Sequence, residues 1–385
     1  MSRRIIVFHN QPIGISETFV YNQIVGLKRY QPIVIGIKHP RGPGIDVSHL
    51  NIHLINQGGI IGTVREIGIK VLGYVPNDIN RLIDQVQPHL IHAHFAPYGA
   101  VAMPLARQHG LPLLVSVHGT DVTMSDTPIW RSSYMAHRLY LLRRRALAQM
   151  VSRVIVLSDF LRRIVVERHG FAPERVVCIH LGVDIQRFNP NPQMTVPGKI
   201  LYVGRLIERK GLPFLLQALA RLRNRFPELQ LTVIGDGPMR QPYEALGRDL
   251  LGQRVTFLGA QPNEVVQRHL AEACIFCMPS ITMPSGEAES LGVVFLEAMA
   301  MQVPPVSFHS GGIPEVIIHG QTGFLARERD VEELAHYIEM LLANPDLRHR
   351  LGVQGRQWVE KEFNLEKQNA RLESLYDEVV DEYHH

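Results

Sequence analysis

A cluster of basic residues follows a short apolar run in the second half of the chain. The run Ile200–Val203 leads into Gly204-Arg205-Leu206-Ile207-Glu208-Arg209-Lys210-Gly211. We expect this loop to open a helix, where the helix dipole disfavours each cation by a few tenths of a kcal/mol. A bound anion would remove that conflict, and a diphosphate suits the forked donor Arg205 and the point charge Lys210. The alternative interpretation is a solvated basic loop.

Two glutamates eight residues apart, Glu289 and Glu297, frame an apolar segment further along the chain. Glu289 follows a loop that comes directly after a predicted buried strand, and Gly292 permits close backbone approach. We expect the next helix to begin here and to present free amides, which bind phosphate well. These are the amides of Leu291, Gly292, Val293 and Val294. Glu297 is then placed to accept hydrogen bonds from a diol such as a ribose, and Glu289 to reach an attached sugar. The alternative is one glutamate that favours the helix dipole and one ordinary surface glutamate.

Two loops in the first half of the chain also follow predicted strands. His118-Gly119-Thr120-Asp121 ends an apolar strand, so His118 is a candidate donor to a substrate hydroxyl or a developing charge, or else a loop-capping histidine. Gly14 lies between the first strand and the first helix, where it would let a ligand approach the backbone. No G-x-G-x-x-G motif occurs here, and this disfavours a dinucleotide-binding dehydrogenase.

The sequence contains pairs of histidine and cysteine, which are metal ligands in other proteins, but neither pair belongs to a complete ligand set. His92 and His94 share one face of a strand end, but no carboxylate or cysteine with ligand spacing completes the set. Cys274 and Cys277 fall on opposite faces of a strand and are predicted to be buried apolar residues. Because no Asp-x-Asp occurs, a divalent cation that bridges a diphosphate would lack its usual carboxylates. We therefore expect no metal requirement.

The elements that must position these residues alternate between strand and helix patterns. The chain has 385 residues, 45% of them apolar and 20% charged, so we expect two globular domains. Short β-branched runs separated by helical stretches predict two doubly wound, Rossmann-like α/β domains with strand ends that face a cleft. The predicted runs are 4–9, 32–37, 51–55, 90–94, 113–118, 154–157, 175–179, 199–203, 229–234, 255–258, 274–278 and 305–308.

The predicted domain boundaries follow from this alternation. A Pro- and Asn-rich stretch over 183–198 predicts an interdomain linker. We assign residues 1–185 to an N-terminal domain and 186–363 to a C-terminal domain. Residues 364–385 form a C-terminal helix that can cross back to the first domain.

Charge is unevenly distributed along the chain. Residues 1–190 carry 21 Lys and Arg against 11 Asp and Glu, whereas the remainder carries 19 against 25. The basic half suggests an anionic partner: nucleic acid, anionic lipid or a phosphorylated substrate. A basic, leucine-rich helix over 138–150 either contacts a membrane surface or packs on the core. Three cysteines and no membrane-spanning run predict a cytoplasmic protein, with peripheral contact at the inner membrane face left open.

Taken together, these motifs resemble those of family-4 retaining glycosyltransferases of the GT-B fold. The resemblance is strongest to the bacterial exopolysaccharide group that includes colanic-acid and amylovoran enzymes. It covers nearly the whole chain. It rests on ISETFV (15–20), HAHF (92–95), HGTD (118–121), GRLIERKG (204–211), GDGP (235–238), EAESLGVVFLEAMA (287–300) and GGIPEVI with GQTGFL (311–325).

The resemblance implies transfer of a hexosyl group from a UDP- or GDP-sugar to a glycan or lipid-linked oligosaccharide. It implies that the second domain binds the donor and that the first domain serves the acceptor. Arg205 and Lys210 would hold the diphosphate, Glu297 the ribose and Glu289 the donor sugar, while His118 would contact the sugar near the reacting centre. It also implies a metal-free, front-face mechanism in which the leaving phosphate helps to deprotonate the acceptor hydroxyl.

Two other functions are compatible with this architecture. A non-hydrolysing sugar-nucleotide epimerase would isomerise the donor without an acceptor. A non-catalytic sugar-nucleotide-binding protein would bind the donor without transfer, although His118 and Glu289 argue against it. Nucleic acid is not an expected partner of any of the three.

Overall fold

The computed structural model describes residues 3–11, 18–39, 47–131 and 134–384. The chain forms two compact units, Met1–His180 with Leu365–His385, and Leu181–Asn364. Gly14, Ser16 and Glu17 lie outside the described residues. The prediction for Gly14 therefore stays a prediction.

The first unit is built on a parallel sheet of seven strands in the order β3-β2-β1-β4-β5-β6-β7. Both faces are covered by helices, so the central strands are almost continuously apolar, as Ile5–Phe8 illustrate. The strands are β1 Arg3–His9, β2 Tyr30–Lys38, β3 Ile52–Asn56, β4 Leu90–His94, β5 Leu113–Ser116, β6 Arg153–Val156 and β7 Val176–Cys178. The helices are α1 Thr18–Val25, α2 Gly59–Ile67, α3 Asn77–Val86, α4 Ala96–His109, α5 Thr120–Thr123, α6 Asp126–Trp130, α7 Met135–Met150 and α8 Asp159–Glu167. A π-helical turn, Gly68–Leu72, continues α2.

The second unit has a parallel sheet of six strands in the order β10-β9-β8-β11-β12-β13. The strands are β8 Lys199–Val203, β9 Gln230–Ile234, β10 Val255–Phe257, β11 Ile275–Cys277, β12 Pro305–Phe308 and β13 Phe324–Ala326. The helices are α9 Leu212–Leu222, α10 Arg240–Leu251, α11 Asn263–Glu272, α12 Val293–Ala300, α13 Ile313–Val316, α14 Val331–Ala343 and α15 Pro345–Glu362. Cys274 and Cys277 are buried free thiols of this unit.

The predicted fold class, two doubly wound parallel α/β sheets, is confirmed. Each of the twelve predicted runs coincides with a strand, but β13 was missed because Phe324-Leu325-Ala326 contains no β-branched residue. Residues 183–198, the predicted linker, are grouped with the second unit. The Val183 amide donates to the carbonyl of Phe363 over 2.8 Å and ties the start of this unit to its end.

The last helix, α16 Leu365–His384, returns to the first unit. Its buried Glu373 carboxylate accepts hydrogen bonds from the amides of Lys28, Arg29 and Tyr30, over 2.8, 2.6 and 3.3 Å. The sequence pattern predicts a first helix up to residue 29, but α1 ends at Val25 and the chain turns to meet this carboxylate. The apolar face of α16 joins the core that includes Val7, Val34 and Leu114. Every helix in the described part of the chain is too short or too polar to span a bilayer.

Candidate functional site

Neighbouring strands of the second unit bring the basic loop and Glu289 together. β8 ends at Val203 before the basic loop, and β11 ends at Cys277 before the segment that carries Glu289. The two strands are adjacent and parallel, so the loops that follow them meet at one edge of the sheet. The Ile281 amide donates to the carbonyl of Arg209 over 2.8 Å and joins the two loops directly.

The centre of this edge is a buried carboxylate between two cations. Lys210 Nζ lies 2.5 Å from Glu289 Oε2, and a guanidinium nitrogen of Arg209 lies 3.2 Å from the same oxygen. The Ser280 hydroxyl lies 3.5 Å from it. All three charged side chains are at most 14% exposed. Two cations share one carboxylate, so the cluster has a net charge of +1 and is electrostatically incomplete.

The cluster perturbs the ionisation of its own members. Burial alone would raise the pKa of Glu289, but the cationic Lys210 and Arg209 outweigh it and hold that pKa at about 2. Burial lowers the pKa of Lys210, and Glu289 only partly offsets this effect. Arg209 lowers the Lys210 pKa further. An anion bound beside Lys210 would therefore strengthen its protonation.

The basic loop is arranged differently from the sequence prediction. It does not open a helix at its cations, because Glu208–Lys210 forms a 3₁₀ turn and α9 begins only after Gly211. Gly211 has φ +69°, and a Cβ there would lie 1.8 Å from the carbonyl oxygen of Pro279, so glycine is required. The predicted conflict with a helix dipole is replaced by the ion pairs to Glu289.

Arg205 is placed to act on a ligand from outside the cluster. Its side chain is exposed, and it forms no ion pair with any residue in the described part of the chain. It stands one residue after Gly204, in the same loop as Lys210. The loop therefore carries one exposed guanidinium in addition to the two buried cations. Together these three positive charges favour an anionic ligand.

The helix predicted after Glu289 begins where the spacing suggests. α12 starts at Val293, and Gly292 precedes it at φ +81°. A Cβ on Gly292 would lie 2.5 Å from the ring of Phe295, which excludes larger residues. The first amides of a helix have no intrahelical acceptor, so Val293 and Val294 supply donors close to Glu289, and the amides of Leu291 and Gly292 directly precede them.

Glu297 lies on α12, one turn after its start, and is partly buried. No hydrogen bond or ion pair to its carboxylate occurs within the described ranges 3–11, 18–39, 47–131 and 134–384. Burial raises the pKa of Glu297 to about 7, and Arg187 counteracts this only weakly. A carboxylate with spare acceptor capacity at this position suits a ligand that presents hydroxyl groups.

In the first unit, His118 belongs to a group of histidines at the end of β4 and β5. His118 Nε2 lies 3.1 Å from His94 Nδ1, and the two rings stack with centroids 5.3 Å apart. His92 is bound separately, to Tyr376 of α16 over 2.6 Å and to Ser116 over 2.7 Å. Burial holds the pKa of His118 and of His94 well below the usual range, and the neighbouring imidazoles add to the effect. His118 is therefore a neutral imidazole near pH 7.

The loop that carries His118 is anchored by Asp121. This buried carboxylate accepts hydrogen bonds from the amides of His118, Gly119 and Ala96 over 3.0, 2.8 and 2.9 Å. The Phe95 ring packs against His118 with centroids 4.5 Å apart, and Phe95 has φ +69°, a strained conformation for an aromatic residue. The HAHF and HGTD motifs thus form one structure that fixes the imidazole.

A polar cavity of about 180 Å³ lies nearby in the first unit, at the ends of β1 and β2. Its lining includes Asn10, Lys38, Glu66, Lys70, Tyr98 and Tyr134. Sequence reasoning missed this cavity, because Lys70 and Tyr134 come from segments with no strand-end motif. It also missed Arg209 as the second partner of Glu289. In the described residues, no group of three His, Cys, Asp or Glu side chains is arranged to hold a metal ion.

Comparison with known proteins accounts for both units. Residues 17–187 match the family described as Glycosyltransferase Family 4, and residues 186–358 match Glycosyl transferases group 1. A GDP-mannose-dependent alpha-(1-6)-phosphatidylinositol monomannoside mannosyltransferase of Mycolicibacterium smegmatis is 32% identical over 316 residues, which cover 78% of this chain and 79% of that protein. The chain belongs to the family-4 glycosyltransferases.

Further relatives of this glycosyltransferase agree with the predicted group. A putative colanic acid biosynthesis glycosyltransferase of Escherichia coli is 29% identical over 290 residues, covering 74% of this chain and 69% of that protein. Sucrose-phosphate synthase of Thermosynechococcus elongatus aligns with TM-score 0.77 at 23% identity, over 98% of this chain and 99% of that one. Anabaena HepE, solved with UDP, aligns with TM-score 0.77 at 20% identity, over 97% and 100%. These structures confirm the GT-B fold of the glycosyltransferase.

Proposed function

We propose that this glycosyltransferase moves a hexosyl group, with retention of configuration, from a UDP- or GDP-sugar to a glycan or lipid-linked acceptor. The observation that carries the proposal is the buried Lys210–Glu289–Arg209 cluster at the ends of β8 and β11. Its net charge of +1 is met by the diphosphate of a nucleotide sugar. A glycan or lipid-linked acceptor agrees with the names of the relatives, which refer to glycolipid or polysaccharide synthesis.

The donor would be held by three kinds of contact. Lys210 and the exposed Arg205 bind the diphosphate, and the amides of Leu291, Gly292 and Val293 donate to its oxygens. Glu297 accepts from the ribose hydroxyls. Glu289 accepts from the hydroxyls of the sugar while it stays paired with Lys210. Charge that develops on the leaving diphosphate is stabilised by cations already in place, which lowers the barrier for transfer.

The ionisation of Glu289 favours a front-face mechanism. A carboxylate with a pKa of about 2 is a weak base, far from the value near the working pH that suits proton transfer. We propose that the leaving phosphate takes the proton of the acceptor hydroxyl and that no metal takes part. Glu289 then orients the sugar and does not attack it.

His118 is proposed to assist at the sugar by a hydrogen bond. A neutral imidazole donates through one nitrogen and accepts through the other, so it can hold a hydroxyl without adding charge. Replacement of His118 would then reduce transfer and leave the affinity for free UDP or GDP unchanged.

The first test asks whether the donor nucleotide carries uracil or guanine. The mycobacterial relative is named for GDP-mannose, and HepE was solved with UDP and with UDP-glucose. A thermal-shift screen with UDP, GDP, UDP-glucose and GDP-mannose should raise the melting temperature for one nucleotide class, because a ligand of the folded state stabilises it. No shift with any of the four would contradict donor binding.

The screen is followed by a transfer assay with the donor that binds. The labelled sugar should pass into a polar lipid or polysaccharide fraction, and chelation of divalent cations should leave the rate unchanged. The anomeric configuration of the product, read by NMR, should equal that of the donor. Isomerised donor in an incubation without acceptor would instead support an epimerase.

Glu297 should make donor affinity depend on pH. Its carboxylate must be ionised to accept both ribose hydroxyls, so the Kd of UDP-glucose or GDP-mannose should rise about tenfold from pH 8 to pH 6. Glu297→Gln should weaken binding at pH 8 and remove this dependence. Isothermal titration calorimetry measures both, and an unchanged pH profile in the variant would refute the ribose contact.

The same glutamate gives an independent check without ligand. The pKa of Glu297 in the folded protein lies above its ordinary value of 4.5, so the folded state binds more protons between pH 4.5 and about 7. The stability that Glu297 contributes is therefore present below pH 4.5 and lost as the pH rises through 7. As the pH rises over this range, the melting temperature of Glu297→Gln should therefore increase relative to that of the wild type.

A further inference from the structure

The helical segment after β3 presents its apolar side chains outward. Ile60, Ile61 and Leu72 are 85%, 77% and 80% exposed, and the side chains between them that share this face are also exposed. These are Val64, Ile67 and Val71. The spacing of Ile60, Val64, Ile67 and Val71 places them on one side of a helix. We call Ile60, Ile61, Val64, Ile67, Val71 and Leu72 the outward apolar face.

The polar side chains of the same segment are directed inward or tied down. Lys70 is buried and its Nζ lies 2.5 Å from Glu66 Oε1, while Arg65 lies 2.6 Å from Asp78. Lys70 and Glu66 line the polar cavity at the ends of β1 and β2. A surface helix in water normally has the opposite arrangement, with its apolar stripe towards the core. This inversion indicates that the outward face meets an apolar medium.

A basic helix adjoins the outward apolar face. The Arg143 guanidinium of α7 donates to the carbonyls of Lys70 and Val71, over 2.8 Å each, and so attaches α7 to the end of the apolar segment. From residue 127 to residue 158 there are six arginines and no acidic residue. Three of these arginines, Arg131, Arg138 and Arg145, are exposed, and so is Leu142 of α7.

The chemistry of this surface fits an anionic lipid bilayer. Apolar side chains flanked by arginines are typical of helices that lie in the plane of a membrane interface. Aromatic side chains also favour the membrane interface, and Trp130 of α6 is half exposed. We propose that the outward apolar face inserts into the interfacial layer of an anionic membrane while the arginines of α7 contact lipid head groups.

This surface differs from the one indicated by the sequence. The sequence indicates the basic helix over 138–150 as the membrane candidate. In the structure, Tyr140 and Leu147 of that helix are buried in the core. The apolar insertion comes instead from the segment 59–72, and α7 supplies the charge. The inward side of that segment lines the polar cavity, so a lipid-linked acceptor would present its head group where Asn10, Lys38 and Lys70 converge.

Vesicle flotation tests the proposal without donor or acceptor. The full-length protein is mixed with vesicles of phosphatidylglycerol and phosphatidylcholine, or of phosphatidylcholine alone, and floated on a density gradient. We expect the wild type to float with the anionic vesicles and to bind the neutral ones at least about tenfold more weakly. Ile61→Asp with Leu72→Asp should reduce binding by roughly tenfold or more for each side chain withdrawn from the lipid.

Controls separate membrane binding from misfolding and from self-association. Val196 is also exposed but lies in the second unit, so Val196→Asp should float as the wild type does. The double variant should keep its melting temperature and its affinity for UDP or GDP, which separates this proposal from the proposed transfer reaction. Milder changes, Ile61→Ser with Leu72→Ser, serve if the aspartates unfold the protein. Equal flotation of wild type and variants, or a wild-type dimer that the variants abolish, would overturn the proposal.

Discussion

Replacing Glu289 with glutamine is expected to lower the transfer rate by about 10²- to 10³-fold, the effect of losing one preorganised electrostatic group. Glutamine keeps the shape but removes the charge that Lys210 and Arg209 share. Breaking a buried ion pair by removing one partner costs about 3–5 kcal/mol, so the variant should also melt at a lower temperature. UDP or GDP should restore more stability to the variant than to the wild type, because the diphosphate replaces the missing anion. Steady-state kinetics and thermal shifts with the cognate nucleotide measure these effects.

The chain offers a matched control two residues away. Glu287 is a partly buried carboxylate that accepts a hydrogen bond from Ser285 over 3.1 Å and forms no ion pair with any of the described residues. Glu287→Gln should therefore retain both activity and stability to within a small factor. Transfer by Glu289→Gln at the wild-type rate would show that the ion-paired carboxylate has no part in the reaction.

Replacing Lys210 with methionine should have an effect of at least equal size, about 10³-fold on transfer. The ammonium group binds the diphosphate most closely in the proposed complex, and its loss leaves the buried Glu289 with Arg209 alone. Nucleotide affinity should fall together with the rate, unlike the result for Glu289→Gln. Titration calorimetry with UDP or GDP separates the two cases.

Two further variants make this prediction specific. Arg205→Gln removes an exposed cation, so it should weaken nucleotide binding without lowering the melting temperature. The double variant Lys210→Met with Glu289→Gln should be more stable than Glu289→Gln, because one buried cation, Arg209, is then left without its anion instead of two, yet it should remain inactive. Activity in the double variant would contradict the role given to the pair.

Much of the fold could be predicted because parallel α/β sheets have a strong sequence signal. Strands buried on both faces, such as β1 and β8, are continuous apolar runs, and helices separate them regularly. β13 escaped detection because it has no β-branched side chain, unlike the equally short β7, β10 and β11. The end of α1 was misplaced because the chain turns there to bind Glu373, about 340 residues later in the sequence. No local pattern contains that contact.

The candidate site was predictable in its residues but less so in its arrangement. Strand-end position and residue type identified Lys210, Glu289 and Glu297, since loops at one edge of a sheet converge. The pairing of Glu289 with two cations follows from the adjacency of β8 and β11, which the sequence does not reveal. The sequence also does not reveal the orientation of the helical segment after β3, because periodicity defines an apolar stripe but not the side it faces.

The return of α16 to the first unit has a consequence for biosynthesis. The second unit is one continuous stretch, whereas the first unit needs residues from both ends of the chain. On the ribosome, Glu373 can bind the amides of Lys28–Tyr30 only after residues 365–384 have emerged. Loss of residues 365–384 alone would therefore damage the first unit, although most of that unit is synthesised first.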